Sequence, residues 1–163
     1  MSFESLNLNH TIVQAITAAG YTEPTAVQAQ AIPDAIAGHD LMVSAPTGTG
    51  KTAAFVLPAL QRLGTAPAKH GRGPRVLVLT PTRELALQVT NAVSKYSRGM
   101  RHVRTGTVLG GMPYPKQRKL LDSPLDILVA TPGRLIDHQE RGPIDLSLLD
   151  LLILADADRM LDL

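Results

Sequence analysis

Short runs rich in Val, Ile and Leu, alternating with longer stretches of helical period, constrain this chain more than any other feature. The runs are LMVSA (41–45), RVLVLT (75–80), VRTGTVLG (103–110), DILVA (126–130) and DLLILA (150–155). Most are nearly continuous in apolar character, which is how strands buried on both faces of a parallel sheet read. Between them lie TAAFVLPALQRL (52–63), ELALQVTNAVSKYS (84–97), YPKQRKLLD (114–122) and PGRLIDHQE (132–140), all of helical period. This alternation predicts an α/β domain, a mostly parallel sheet with helices on both faces. Two earlier helices are expected around 9–19 and 25–36, separated by GYTEPT, whose Gly20 and Pro24 break the pattern. By composition GTAPAKHGRGP (64–74) is a surface loop.

A length of 163 residues, 44% of them hydrophobic, suffices for one core and predicts one domain. The formal charge of +2 is too small to demand a nucleic-acid partner. The absence of cysteine excludes a disulfide framework and any thiolate metal site, and fits a reducing cytoplasm. Five scattered histidines form no HExxH pattern. No basic segment followed by an apolar one opens the chain, and no run approaches the ~18 apolar residues of a membrane span. A soluble, unprocessed, cytoplasmic protein with no membrane partner is expected.

Chemistry becomes specific at APTGTGKT (45–52), directly after the first apolar run and at the start of a helix. Gly48 and Gly50 permit backbone angles that turn successive N–H groups inward around phosphate oxygens, with Thr47 and Thr49 between and beside them. A helix amino terminus adds to that anion site. Lys51 would reach the β- and γ-phosphates and the Thr52 hydroxyl would ligate Mg²⁺. The generic phosphate-loop pattern opens with glycine, where this chain has Ala45. In such folds a second buried strand ends in an acid that helps hold Mg²⁺ and orients the attacking water. LLILADAD is the one apolar run after the loop that ends in acids, Asp156 and Asp158.

These residues resemble the DEAD-box RNA helicases, in particular the bacterial RhlE-like branch, and the resemblance runs through nearly the whole chain as the first of that family's two RecA-like domains. GYTEPTAVQ (20–28), with Phe3 upstream, is similar to the family's adenine-reading Q motif. The resemblance implies that Gln28 hydrogen-bonds the adenine edges, Tyr21 stacks on the base and Phe3 supports the pocket. APTGTGKT resembles the family's phosphate loop, alanine included. PTREL (81–85), Gly110-Gly111 and TPGR (131–134) resemble the three segments that grip the backbone of single-stranded RNA. They supply Pro81, Thr82, Arg83, Thr131, Pro132, Gly133 and Arg134 as RNA-binding candidates.

Physical chemistry agrees with that assignment. PTREL and TPGR each follow a predicted strand and open a helix, so free N–H groups and a threonine hydroxyl face the edge that carries the phosphate loop. Arg83 and Arg134 add charge, and contacts of this kind grip phosphates without reading sequence. The alternative role for Thr82 and Thr131 is helix capping. KHGRGPR (69–75) and KQRKL (116–120) read as solvated surface rather than RNA sites.

The resemblance also implies a departure. The family's Asp-Glu-Ala-Asp signature falls on Ala155-Asp156-Ala157-Asp158. Ala155 stands where the family has an aspartate that holds Mg²⁺ through water, and Asp156 where it has the glutamate that polarises the attacking water. The shorter side chain loses roughly 1.5 Å of reach, and a misplacement near 1 Å can cost ~10²-fold in rate. Asp158 keeps the last acid. The family's next motif, Ser-Ala-Thr, and its second RecA-like domain with the arginine finger lie beyond Leu163 in the pattern; a finger is worth ~10³–10⁵ in rate. The expected division is a Q-motif helical region, 1–36, packed on a RecA-like ATP-binding domain, 37–163. Lys51, Asp156 and Asp158 are the catalytic candidates, and ATP or ADP with Mg²⁺ the cofactors. The chain is expected to bind adenine nucleotide and single-stranded RNA but to hydrolyse ATP negligibly alone. Two other readings stand beside this one: a non-catalytic nucleotide- or RNA-binding module with a degenerate acid motif, and another phosphate-loop NTPase with a different base preference.

Overall fold

The computed structural model describes Leu8, Pro33 and residues 10–18, 41–43, 49–63, 73–98, 100 and 103–155, with backbone alone at 10, 11, 41–43, 49–51 and 53–55. Five strands form one sheet: β1 (Leu41–Val43), β2 (Val76–Leu79), β3 (Thr105–Val108), β4 (Ile127–Ala130) and β5 (Leu151–Ala155). Their order is β1-β5-β2-β4-β3, and every neighbouring pair is parallel. The helices are α1 (His10–Ala18), α2 (Thr49–Leu63), α3 (Arg83–Tyr96), α4 (Tyr114–Leu121) and α5 (Pro132–Arg141). Each coincides with an expected segment to within a few residues. The helix expected at 25–36 and the GYTEPT break lie outside the described residues, apart from Pro33.

Period-two alternation divides the strands between two cores. Val76 and Val78, Ile127 and Val129, and Leu151, Ile153 and Ala155 point to one face, where α1, α2 and α3 contribute Ile12, Ile16, Leu57, Leu60, Val89 and Val93. Leu77, Leu128 and Ala130 point to the other, against Leu120 and Leu121 of α4 and Leu135 of α5. Helices therefore cover both faces, which is what near-continuous apolar strands require. α2 holds its course through Pro58, which lacks an N–H donor and disfavours a helix interior. Val56, Leu57, Ala59 and Leu60 around it are 0 to 2% exposed, so burial outweighs local propensity. None of the described helices is long and apolar enough to cross a membrane.

Ion pairs fasten the amino ends of the strands. Arg104 grips Asp126 with two nitrogens, Nε to Oδ2 at 3.2 Å and NH2 to Oδ1 at 3.1 Å, while its backbone N–H also donates to Oδ2. Arg75 donates through Nε and NH2 to Asp150 Oδ2, at 3.2 and 3.1 Å. Arg75 is only 9% exposed, which corrects the expectation that KHGRGPR is solvated throughout. Its side chain is drawn inward by a carboxylate 75 positions further along the chain, which local charge patterning does not register.

Candidate functional site

In an all-parallel sheet every strand delivers its following segment to the same edge. Across the carboxyl edge here the order is the segment after β1, then those after β5, β2, β4 and β3. In sequence terms these are APTGTGKT, ADAD, PTREL, TPGR and Gly110-Gly111. Of the nucleotide candidates, the described ones, Thr49, Gly50, Lys51 and Thr52, open the helix after β1 at one end of the edge, and the RNA candidates follow β2, β4 and β3 toward the other. Neighbouring strands lie about 4.8 Å apart, so the three RNA segments leave the sheet within roughly 10 Å of one another.

At the nucleotide end, β1 stops at Val43 and α2 starts at Thr49. The backbone of Thr49, Gly50 and Lys51 forms the first turn of α2, and that turn carries no acid. Its N–H groups lack intrahelical partners and the positive end of the helix is uncompensated, which favours an anion. Thr52, one residue on, is 5% exposed. Its hydroxyl is a hard oxygen, the type of donor that Mg²⁺ prefers. On the neighbouring strand Ala155 pairs with Val43 and is fully buried. A methyl group in that place donates nothing to a cation. Phe3, Tyr21, Gln28, Thr47, Gly48, Asp156 and Asp158 lie outside the described residues.

At the other end the three segments converge. Thr82 caps α3, its hydroxyl accepting from the Leu85 N–H at 3.1 Å. Thr131 occupies the same position before α5 but makes no side-chain capping bond, so of the two expected caps only Thr82 is one. Gly111 has a φ of +80°, a conformation that favours glycine, and a Cβ built there would lie 3.8 Å from NH1 of Arg83. The PTREL arginine therefore reaches the Gly-Gly turn even though β4 separates their strands. Pro81 and Pro132 flank the same surface, Pro132 as the first residue of α5. At Gly110 and at Gly133 a Cβ would meet nothing within 4 Å. Internal packing among the described residues does not require glycine at either place.

Arg134 is less free than its place in TPGR suggests. Its Nε donates to Gln117 Oε1 at 2.9 Å and its NH2 to the Met112 carbonyl at 2.8 Å. Its guanidinium also lies 4.9 Å over the Tyr114 ring. Gln117 is 3% exposed and donates from Nε2 to the Leu109 carbonyl at 2.7 Å. Fully buried His138 stands 2.8 Å from the same Gln117 Oε1 through Nε2, and stacks on Tyr114 with centroids 4.0 Å apart. The expectation of a solvated KQRKL holds for Lys116 and Lys119 and fails for Gln117 and Arg118. Arg118 donates to the carbonyls of His138 and Gly142, at 3.2 and 2.8 Å. Gln117 and His138 are the residues that charge patterning missed. The available signal was spacing: Gln117 shares a helical face with Leu120 and Leu121, and His138 with Leu135.

A parallel sheet with helices on both faces, in a chain whose sequence carries a phosphate-loop motif between β1 and α2, is the architecture of a RecA-like domain. Residues 25–163 match the DEAD/DEAH box helicase family, and the chain belongs to it. It is 44% identical over 162 residues to the ATP-dependent RNA helicase SrmB of Escherichia coli K12, covering 99% of this chain and 36% of that protein. It is also 44% identical over 160 residues to the ATP-dependent RNA helicase DeaD of Klebsiella pneumoniae, covering 98% of this chain and 24% of that one. Against the probable ATP-dependent RNA helicase DDX27 of Mus musculus it is 46% identical over 163 residues, 21% of that protein's length. The chain thus spans about a third or less of these relatives.

Proposed function

We propose that this chain is the ATP-binding, N-terminal RecA-like domain of an RNA helicase, in which one sheet edge holds adenine nucleotide at one end and single-stranded RNA backbone at the other. The observation that carries the RNA half is the pair of glycines, Gly110 and Gly133, with nothing within 4 Å of a Cβ. Glycine where packing does not ask for it, between Arg83 and Arg134, suits a backbone-to-backbone approach by a phosphate chain. Thr131 keeps its hydroxyl free of capping and can donate to a phosphate oxygen.

For the nucleotide, the first turn of α2 supplies N–H donors, Lys51 a cation for the β- and γ-phosphates, and Thr52 an oxygen for Mg²⁺. With one threonine oxygen, the sequence-placed carboxylate of Asp156 and none from Ala155, the donor set suits an ion that keeps several waters, as Mg²⁺ does. Bound there, the ion would offset phosphate charge. Gln28, with Tyr21 and Phe3, would select adenine, and Asp158 would hold the acid segment in place. Asp156 is the residue left to orient an attacking water, and its reach is about one methylene short. We therefore infer that in the whole protein this domain serves ATP-driven RNA unwinding, whereas the chain alone turns over ATP negligibly. Fully buried Ala155 is the one observation favouring a second reading, a domain that binds without turnover.

Fluorescence anisotropy with two unrelated labelled oligoribonucleotides tests the RNA half, and phosphate release the catalytic half. Similar affinities that fall with salt, by a log–log slope of about −0.7 per phosphate contact, support backbone binding. Background turnover that rises in an Ala155→Asp, Asp156→Glu variant supports the acid argument. Steady RNA-stimulated turnover by the unaltered chain at about 1 s⁻¹, an ordinary enzyme rate, contradicts it.

A further inference from the structure

We infer that Gln117 is a positioning residue that joins the Gly110-Gly111 turn and the amino end of α5 into one rigid RNA-gripping unit. The inference rests on the RNA reading of this edge given above. Gln117 is 3% exposed and lies outside all three RNA-contacting segments, yet it bonds to Arg134 in one of them, to Leu109 immediately before another, and to His138 further along α5.

The bonds fix the orientation of the amide without ambiguity. Leu109 offers a carbonyl, which can only accept, so it faces Nε2. Arg134 offers a guanidinium N–H, which can only donate, so it faces Oε1. His138 Nε2 approaches that same Oε1 and must therefore carry its proton, leaving Nδ1 bare. Nδ1 of His138 is buried and has no hydrogen-bond partner among the described residues, which suits an unprotonated nitrogen better than a second N–H.

One side chain thus sets three things together. It holds the carbonyl at the entry to the Gly-Gly turn and aligns the guanidinium of Arg134. Through His138 it also fixes the packing of α5 against Tyr114. The second fork of Arg134 returns to the Met112 carbonyl just past the turn, which closes a ring running Leu109, Gln117, Arg134, Met112. Glycines at 110 and 133 leave the turn and the helix start without side chains of their own to hold them in register. A buried amide between them is what keeps two phosphate contacts at a constant separation, and preorganisation of that kind contributes to affinity by lowering the ordering cost of binding.

The test compares the unaltered chain with Gln117→Met, which keeps length and removes all the polar bonds, and Gln117→Glu, which keeps the two accepted bonds and loses the donated one. Oligoribonucleotide affinity, Mg²⁺-ADP affinity and amide hydrogen exchange are read on the same samples. The expected result is roughly tenfold weaker RNA binding in Gln117→Met, with a smaller loss in Gln117→Glu. Faster exchange should be confined to 109–113 and 131–135, and ADP affinity should be retained. Weakening of RNA and ADP together, with faster exchange throughout the sheet, would assign Gln117 a general folding role and overturn the inference. So would equal RNA affinity in all three proteins. An unaltered chain that binds ADP but no RNA would overturn the RNA reading itself, and the inference with it.

Discussion

Replacing Gly133 by alanine should move stability and RNA affinity in opposite directions. Gly133 is the second residue of α5, with ordinary negative φ, and a Cβ there meets nothing within 4 Å. Alanine is preferred to glycine inside a helix by roughly 0.5–1 kcal/mol, mainly because the unfolded chain has less freedom to lose. With no clash to offset that gain, Gly133→Ala should be as stable as the unaltered chain or more so. The same methyl group would project into the space assigned to the RNA backbone. Forcing an extra carbon into a close contact costs about 1–3 kcal/mol, which corresponds to roughly 5- to 150-fold in affinity. Urea unfolding gives the first quantity and anisotropy with a labelled oligoribonucleotide the second. Retained stability with undiminished RNA affinity would show that no ligand approaches Gly133, and would refute the inference drawn from the two unexplained glycines.

Other consequences follow from the same geometry. Thr82→Ala should cost about 1 kcal/mol through loss of the cap on α3, whereas Thr131→Ala, which removes no capping bond, should leave the unfolding midpoint nearly unchanged and weaken RNA binding; equal destabilisation by both would contradict the assignment. Gly111→Ala should destabilise by about 1–2 kcal/mol because its φ of +80° disfavours a side chain, while Gly110→Ala should not, and matching unfolding curves would refute the distinction. Burial first, and then the charges of Arg134 and Arg118, push the His138 pKa below its usual 6.5, with Asp137 opposing and Arg141 adding to the depression. The unfolded chain therefore takes up this proton before the folded one does. The stabilisation is fully present above about pH 6.5 and is lost as the pH falls toward the folded-state pKa, by at most about 1.4 kcal/mol per unit. Urea unfolding from pH 7 to 5 should show a steeper loss for the unaltered chain than for His138→Gln, and parallel curves would contradict a buried neutral imidazole.

The sheet was legible because most of its strands are nearly uninterrupted Val, Ile and Leu, a pattern that few other architectures bury; β3, TGTV, is the exception. Pro58 did not mislead, since the helical period of TAAFVLPALQRL continues across it. The phosphate-loop motif stands out in the sequence because it sets particular residues at fixed spacing between an apolar run and a helical period, and the described part of it, Thr49–Thr52, opens α2 as that spacing expects. The polar interior was not. Arg75 and Gln117 sit in stretches that look solvated, and only partners distant in sequence draw them inward: Asp150 for Arg75, and Leu109, Arg134 and His138 for Gln117. The same holds for Arg134, whose motif suggests a free phosphate ligand while two of its nitrogens are committed inside the protein. Capping by Thr82 and its absence at Thr131 also could not be separated by sequence, because both threonines stand immediately before a helix.

Adenine selection, as proposed for this domain, is tested most directly by calorimetric titration of the chain with Mg²⁺-ADP and Mg²⁺-GDP, each repeated on Gln28→Ala. The account predicts binding of ADP but not GDP, lost on the substitution. Equal binding of both nucleotides, or an ADP affinity indifferent to Gln28, would contradict it.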